Sequence, residues 1–286
     1  MKQAMIFAAG LGTRLKPLTD RIPKALVEVG GEPLLKHVIL RLKEAGFIRI
    51  VVNVHHFSRQ IIDYLKANED FGLEIVVSDE SVELLDTGGG MKKAAPLFDA
   101  DSQILIHNVD ILSNVDLERF YTEAPKMRNY GSGDWLDASA TLLVSWRKTR
   151  RYLLFDEQMR LVGWTNIETG EVKSPFKWLR EFAKEHPEEF TILPDHHEHI
   201  EVRHRLLGYG RMILKAYAFS GIHCFSPSLF PRMADLPARF PIMDFYLANC
   251  DSAPIKGYVA DGMKMLDVGK LDTLQEAEHF IKELNR

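Results

Sequence analysis

The chain has 286 residues, 46% of them apolar and 27% charged, with a formal net charge of −4. That length suffices for a buried core in one large domain or two modest ones, and the charge gives no reason to expect nucleic-acid or membrane partners. With only Cys224 and Cys250 no disulfide framework is expected, MKQAMIFAAG is too short an apolar run for a secretory leader, and no stretch approaches the ~18–20 apolar residues of a membrane span, so a cytoplasmic home is expected.

In chain order, Ala4–Ala9 is a buried strand that runs into Gly10, Gly12, Thr13 and Arg14. Pro33–Ala45 carries Leu34, Leu35, Val38, Ile39 and Leu42 at helical spacing, and Gly46 can stop it. Ile48–Val54 is a β-branched run, and Ser58 is placed to cap a helix bearing Ile61, Ile62 and Leu65. Leu73–Val77 predicts a strand, Gly88–Phe98 a glycine-started helix, and Gln103–His107 another strand. Strand–helix alternation of this kind implies a parallel sheet covered on both faces, with ligands outside the carboxyl ends of its strands. The second half reads as strands at Ala140–Trp146, Ala216–Phe225, Ile255–Val259 and Lys264–Val268. A hairpin of Tyr152–Asp156 and Arg160–Trp164 turns at Glu157-Gln158, and helices are expected at Pro241–Cys250 and Leu271–Leu284. No Pro/Gly/Ser linker divides it, so a single domain, 1–286, is expected.

Four stretches carry chemistry. The first strand ends in Ala8, Ala9, Gly10 and Gly12, then Thr13, Arg14 and, ten residues on, Lys24. Glycines admit close backbone approach, free N–H groups bind anions, and two cations complete a site for a triphosphate. The loop lacks the third glycine of a dinucleotide fingerprint and the Gly-Lys-Ser/Thr of a Walker loop. Thr87, Gly88, Gly89 and Gly90 open a helix, either to let backbone approach a nucleobase or to permit a close contact within the protein. Asn108-Val109-Asp110 ends an apolar strand in a carboxylate suited to Mg²⁺, or to capping the next turn. Asp267-Val268-Gly269 alone is a common turn pattern. His196, His197, His199 and His204 lie among Glu, Asp and Arg and fit a solvated surface better than a metal tract, since they lack helical H-E-x-x-H order. Trp135, Trp146, Trp164 and Trp178 are expected in the core or in acceptor-pocket walls, and His55-His56 as a satisfied polar strand end or a rim contact rather than a ligand.

Ala8 to Leu26, AAGLGTRLKPLTDRIPKAL, resembles the AAGxGTRxxPLTxxxPKxL signature of the sugar-1-phosphate nucleotidyltransferases. The TGGG segment is similar to that of the N-acetylmuramate-1-phosphate uridylyltransferases. The likeness extends through Asn108-x-Asp110, Ser220-Gly221-Ile222 and Asp267-x-Gly269, in the family's order. It is strong over residues 3–125 and moderate over 216–284. It implies a Rossmann-like three-layer αβα sandwich with a mixed, mostly parallel sheet, of the glycosyltransferase-A-like kind. It also implies transfer of a nucleoside monophosphate from an NTP to a sugar 1-phosphate with release of pyrophosphate.

On that resemblance Arg14 and Lys24 are catalytic, and Ala8, Ala9, Gly10, Gly12, Thr13, Gly88, Gly89 and Asn108 hold the nucleotide. Asp110 and Asp267 hold Mg²⁺. Residues 1–135 form the nucleotide half and 136–286 the sugar-phosphate half. UTP with N-acetylmuramate 1-phosphate or a related hexose 1-phosphate is the first expectation; GTP with a mannose or heptose 1-phosphate is the alternative. Val109 replaces the family's glycine, and the family's E-K-P element is missing, which also admits a non-catalytic nucleotide-sugar sensor. Lys173 and Lys177 are both candidates for the missing lysine. The insertion at about 170–212 is expected to reshape the acceptor pocket or to form a homo-oligomer contact.

Overall fold

The computed structural model describes residues 1–128, 134–191, 200–202 and 212–284. His196, His197, His199 and His204 lie outside them. The chain divides into two compact units: Met1–Glu123 with Gly221–Ile242 and Gly262–Arg286, and Ala124–Ser220 with Met243–Asp261.

The first unit alternates strand and helix. Its strands are β1 (Gln3–Phe7), β2 (Arg49–Val54), β3 (Glu74–Asp79) and β4 (Ile104–Asn108), and a short β5 (Ile111–Ser113) follows. Its first four helices are α1 (Leu34–Glu44), α2 (Ser58–Ala67), α3 (Asp86–Ala94) and α4 (Leu117–Glu123). All of β1 and the first four residues of β4 are buried, the continuous apolar pattern of parallel strands covered on both faces. The order is β4-β1-β2-β3 with every neighbour parallel, and Ile222–Phe225 adds an antiparallel partner beyond β4. This is the expected α/β class with a mixed, mostly parallel sheet.

Helix α1 buries Leu34, Leu35, Val38, Ile39 and Leu42, the face read from their spacing. Two expectations shift. Ser58 is the first helical residue of α2 rather than its cap; the preceding Phe57 takes φ 53°, and no side chain caps the turn. α3 begins at Asp86, two residues before the glycines.

Strand order places the site. The chain runs outward from β1 to β2 and β3, then returns to β4 on the other side of β1. The connections therefore diverge at the carboxyl ends of β1 and β4, which opens a crevice there. Register levels these ends: Phe7 faces Asn108 on one side and Asn53 on the other.

In the second unit, Arg151–Phe155 and Leu161–Asn166 form the expected antiparallel hairpin, extended by Glu171–Lys173. Ala140–Ser145 pairs in parallel with Ile255–Val259. Leu179, Phe182 and Phe190 from the insertion pack with Tyr152, Leu154 and Val162. The described part of the insertion is therefore amphipathic and belongs to this unit's core. Trp146 and Trp178 pack against neighbours, whereas Trp135 is 71% exposed and lines no core.

Candidate active site

The crevice of the first unit is a cleft of about 310 Å³, lined by Gly10, Lys24, Asn108 and Asp110 together with Asp86, Thr87 and Arg239. Gly12 turns the loop after β1. It sits at φ +63°, and a Cβ there would lie 2.8 Å from Thr19 Cγ2 and 3.0 Å from Lys24 Cβ, so the left-handed turn and the packing of Lys24 both require glycine. Leu15 N–H and Thr19 Oγ1–H close the turn on Gly12 O, each at 2.8 Å. Gly10 differs: a Cβ there would meet nothing within 4 Å.

Lys24 is 8% exposed, and its Nζ forms an ion pair with Asp110 Oδ2. Asp110 follows β4 and is joined to Asp267 through the β5 ribbon. Met265–Asp267 pairs antiparallel with β5, Asp267 lies opposite Ile111, and Val268 N–H donates to Asp110 O at 2.8 Å. Gly269 explains the Asp-x-Gly pattern. A Cβ there would lie 2.7 Å from both Arg14 Nη2 and Asp267 Oδ1, so glycine lets an arginine and a carboxylate share that space. Arg14, Lys24, Asp110 and Asp267, from three separate stretches of sequence, are thus joined by direct packing or pairing. Asn108 lines the cleft, and its Nδ2 lies 3.0 Å from where a Cβ of Gly221 would stand; the space at Gly221 is filled by protein.

The remaining expected nucleotide contacts fall differently. Ala8 and Ala9 are buried, and their N–H groups donate to Asn53 Oδ1 at 2.7 and 3.3 Å. The N–H groups of Gly88 and Gly89 donate to Phe240 O at 2.8 and 3.2 Å. A Cβ on Gly88 would lie 2.3 Å from the Phe240 ring, and one on Gly89 would lie 2.0 Å from Ala238 O. The glycines at the start of α3 thus seat the segment 238–240, a close contact within the protein; Asp86 and Thr87 are what this turn presents to the cleft. Thr13 is exposed on the loop.

Sequence reasoning missed Asn53, Glu80 and Arg239. Asn53 did carry a signal, an amide interrupting the apolar run of β2. Arg239 carried none, because its place depends on Phe240 docking on α3. His55 is the satisfied polar end expected, its Nδ1 lying 2.6 Å from Glu80 O. In the second unit Lys173 Nζ lies 3.9 Å from both Glu171 and Asp244 and 5.2 Å from the Trp164 ring centre, and Lys177 pairs along its helix with Glu181.

Two hard carboxylates on one ribbon suit Mg²⁺, which takes one or two carboxylates and completes its shell with phosphate oxygens and water. Among the described residues no cluster of three or more His, Cys, Asp or Glu could hold a metal alone. The donor set therefore fits a cation that arrives with a polyphosphate.

Residues 3–133 match the model of a protein family described as nucleotidyl transferase. The N-acetylmuramate alpha-1-phosphate uridylyltransferase of Caulobacter vibrioides is 48% identical over 111 residues, which cover 38% of this chain and 46% of that protein. Its namesake in Neisseria meningitidis is 39% identical over 135 residues, covering 47% of this chain and 58% of that protein. The chain therefore spans about half the length of the curated relatives it matches. Among solved structures, HddC from Yersinia pseudotuberculosis complexed with GMP-PN aligns with a TM-score of 0.67 and 20% identity over 98% of this chain and all of that one. At that identity the likeness is one of fold.

Proposed function

We propose that this chain, whose residues 3–133 match the nucleotidyl transferase family model, transfers a nucleoside monophosphate from an NTP to a sugar 1-phosphate and releases pyrophosphate. The observation that carries this is the convergence of Lys24, Asp110, Arg14 and Asp267 at the point where the β1 and β4 connections diverge. A nucleotide binder has no need of a paired carboxylate set beside two cations; a reaction between two anions does.

The acceptor's phosphate oxygen is already ionised at neutral pH, so no general base is required. The barrier is electrostatic and positional. Lys24, freed from Asp110, would meet the α-phosphate and the incoming phosphate. Arg14 would hold the departing pyrophosphate through bidentate hydrogen bonds, and the Gly10 turn would lie along the triphosphate. Asp110 and Asp267 would hold Mg²⁺, whose charge, when bound, offsets that of the polyphosphate. Residues 1–135 take the nucleotide and 136–286 the sugar phosphate in this assignment.

UTP with N-acetylmuramate 1-phosphate or a related hexose 1-phosphate is the first choice, following the two relatives. A guanylyltransferase acting on a mannose or heptose 1-phosphate is the second, because a mannose-1-phosphate guanyltransferase of Kluyveromyces lactis is 38% identical over 112 residues. Action in the cytoplasm is part of this reading; among the described residues no helix is long and apolar enough to cross a membrane. The test is pyrophosphate release with each NTP against a panel of sugar 1-phosphates, with and without Mg²⁺. Release is expected with one pair and only with the cation. Nucleotide binding without release for any pair would overturn transfer in favour of a nucleotide-sugar sensor.

A further inference from the structure

Glu80 is a buried carboxylate that the proposed chemistry does not use. It is 1% exposed and Asn53 beside it is 3% exposed, yet both edge the cleft. Asn53 Nδ2–H donates to Glu80 Oε1 at 2.8 Å, and Leu85 N–H donates to Glu80 Oε2 at 3.2 Å. Asn53 Oδ1 in turn accepts from Ala8 and Ala9. The backbone of Glu80 is fixed as well, its N–H donating to Val54 O at 2.7 Å. Gly90 makes room for the pair: a Cβ there would lie 2.7 Å from Glu80 Oε1 and 3.1 Å from Asn53 Nδ2.

Every bond in this network has a direction. Two N–H groups fix the amide oxygen of Asn53, so its NH₂ must face Glu80, and both carboxylate oxygens of Glu80 then serve as acceptors. Burial pushes the Glu80 carboxyl upward, against the hydrogen bonds from Asn53 and Leu85. Satisfying two strand-end amides does not require a buried carboxylate, which is costly to keep. What the pair adds is reach: it ties the root of the Gly10 turn to the Leu84–Thr87 turn, which also lines the cleft.

We infer that Asn53 and Glu80 are positioning residues for the nucleotide, setting the separation of the two turns between which it binds. This rests on the cleft being a nucleoside triphosphate site. It predicts an amide–acid exchange. In Glu80→Gln an NH₂ must face either Asn53 Nδ2 or Leu85 N–H, donor against donor. In Asn53→Asp two carboxylates face each other. Combining the two substitutions swaps the groups. The carboxylate, now on the β2 side, still accepts from Ala8 and Ala9 and receives a bond from the NH₂ of the amide opposite. That amide's oxygen is left to accept from Leu85, so every bond is remade at the same net charge.

The test is equilibrium binding of UTP and GTP with Mg²⁺ and no acceptor, alongside thermal unfolding and the KM of each substrate. Each single variant is expected to weaken binding of the preferred NTP about tenfold or more, the order expected for one unsatisfied buried group. The double variant should return to within about threefold, with coupling of that size marking a direct pair. KM for the sugar phosphate should stay unchanged throughout. Singles that lose stability yet bind NTP as the wild type does would overturn the proposal, since the pair would then be purely structural. So would a stable double variant that binds no better than the weaker single. If neither single folds, the double decides alone: NTP binding more than about tenfold weaker than wild type overturns the proposal. Wild-type protein that binds neither nucleotide would instead refute the triphosphate site, and the positioning role with it.

Discussion

Gly10 and Gly89 are both glycines at the rim of one unit, and the structure gives them opposite reasons to be glycine. A Cβ on Gly89 would stand 2.0 Å from Ala238 O and 3.0 Å from Leu85 Cβ. The first contact is with backbone, so the 238–240 segment must move by about an ångström to reach ordinary contact distance, and the bonds from Gly88 and Gly89 to Phe240 O loosen with it. Overpacking costs about 1–3 kcal/mol and each loosened buried bond about 1 kcal/mol more, against about 1 kcal/mol gained from alanine's helix propensity. Gly89→Ala should therefore lose about 2–4 kcal/mol of stability. Gly10→Ala meets nothing within 4 Å and has no positive φ, so its stability should stay within about 0.5 kcal/mol of wild type. Its methyl group would instead enter the cleft where a triphosphate backbone contact is proposed, raising KM for the NTP about tenfold or more. Urea unfolding and steady-state kinetics on the two variants read both effects. Gly89→Ala with wild-type stability would refute the clash. Gly10→Ala with wild-type KM would refute the phosphate role of that turn.

Arg14→Ala, Lys24→Ala and Asp110→Ala should each lower turnover about 10²–10³-fold; turnover within about threefold of wild type for all three would exclude their assigned roles. Arg239 lines the cleft yet is exposed, so Arg239→Ala should leave the unfolding temperature unchanged and raise KM for the sugar 1-phosphate about tenfold; unchanged KM values would remove it from the site. Burial lowers His107 to about 4 and His223 to about 3. The unfolded chain takes up protons below about pH 6.5 that these folded histidines refuse, so stability should be full above that pH and fall as pH drops toward 4 and then 3. The loss at His107 alone is on the order of 3 kcal/mol. Urea unfolding at pH 7 and pH 4.5 should show a shallower acid loss in His107→Gln, and an equal loss would exclude His107 as a cause.

Much of the site was legible because it is local. Gly10 to Lys24 is one contiguous loop, and Asp110 ends a strand whose apolar run is unmistakable. Asp267 was legible only through order along the chain, since nothing local distinguishes Asp-x-Gly from an ordinary turn. What stayed hidden depends on partners far away in sequence. The purpose of Gly88 and Gly89 is written at Ala238 and Phe240. The amides of Ala8 and Ala9 look free for phosphate until Asn53, on the neighbouring strand, takes them. The same limit explains the helix ends: Phe57 and Asp86 adopt positive φ, so Ser58 begins its helix instead of capping it and α3 begins at Asp86, ahead of Gly88.

The clamp of Phe240 on α3 also bears on how the protein is made. The first unit cannot be completed from its own amino-terminal stretch: the strand partner at Ile222–Phe225, the acceptor for Gly88 and Gly89, and Asp267 all come from late in the chain. At ribosomal rates of about 5–20 residues per second, roughly 8–30 s separate the emergence of Asp110 from that of Asp267. Until Ile222–Phe225 emerges the nascent chain carries the bare edge of β4, and until Phe240 emerges it carries the uncovered glycine turn of α3, so it would fall to chaperones, rather than to native contacts, to guard a half-built cleft.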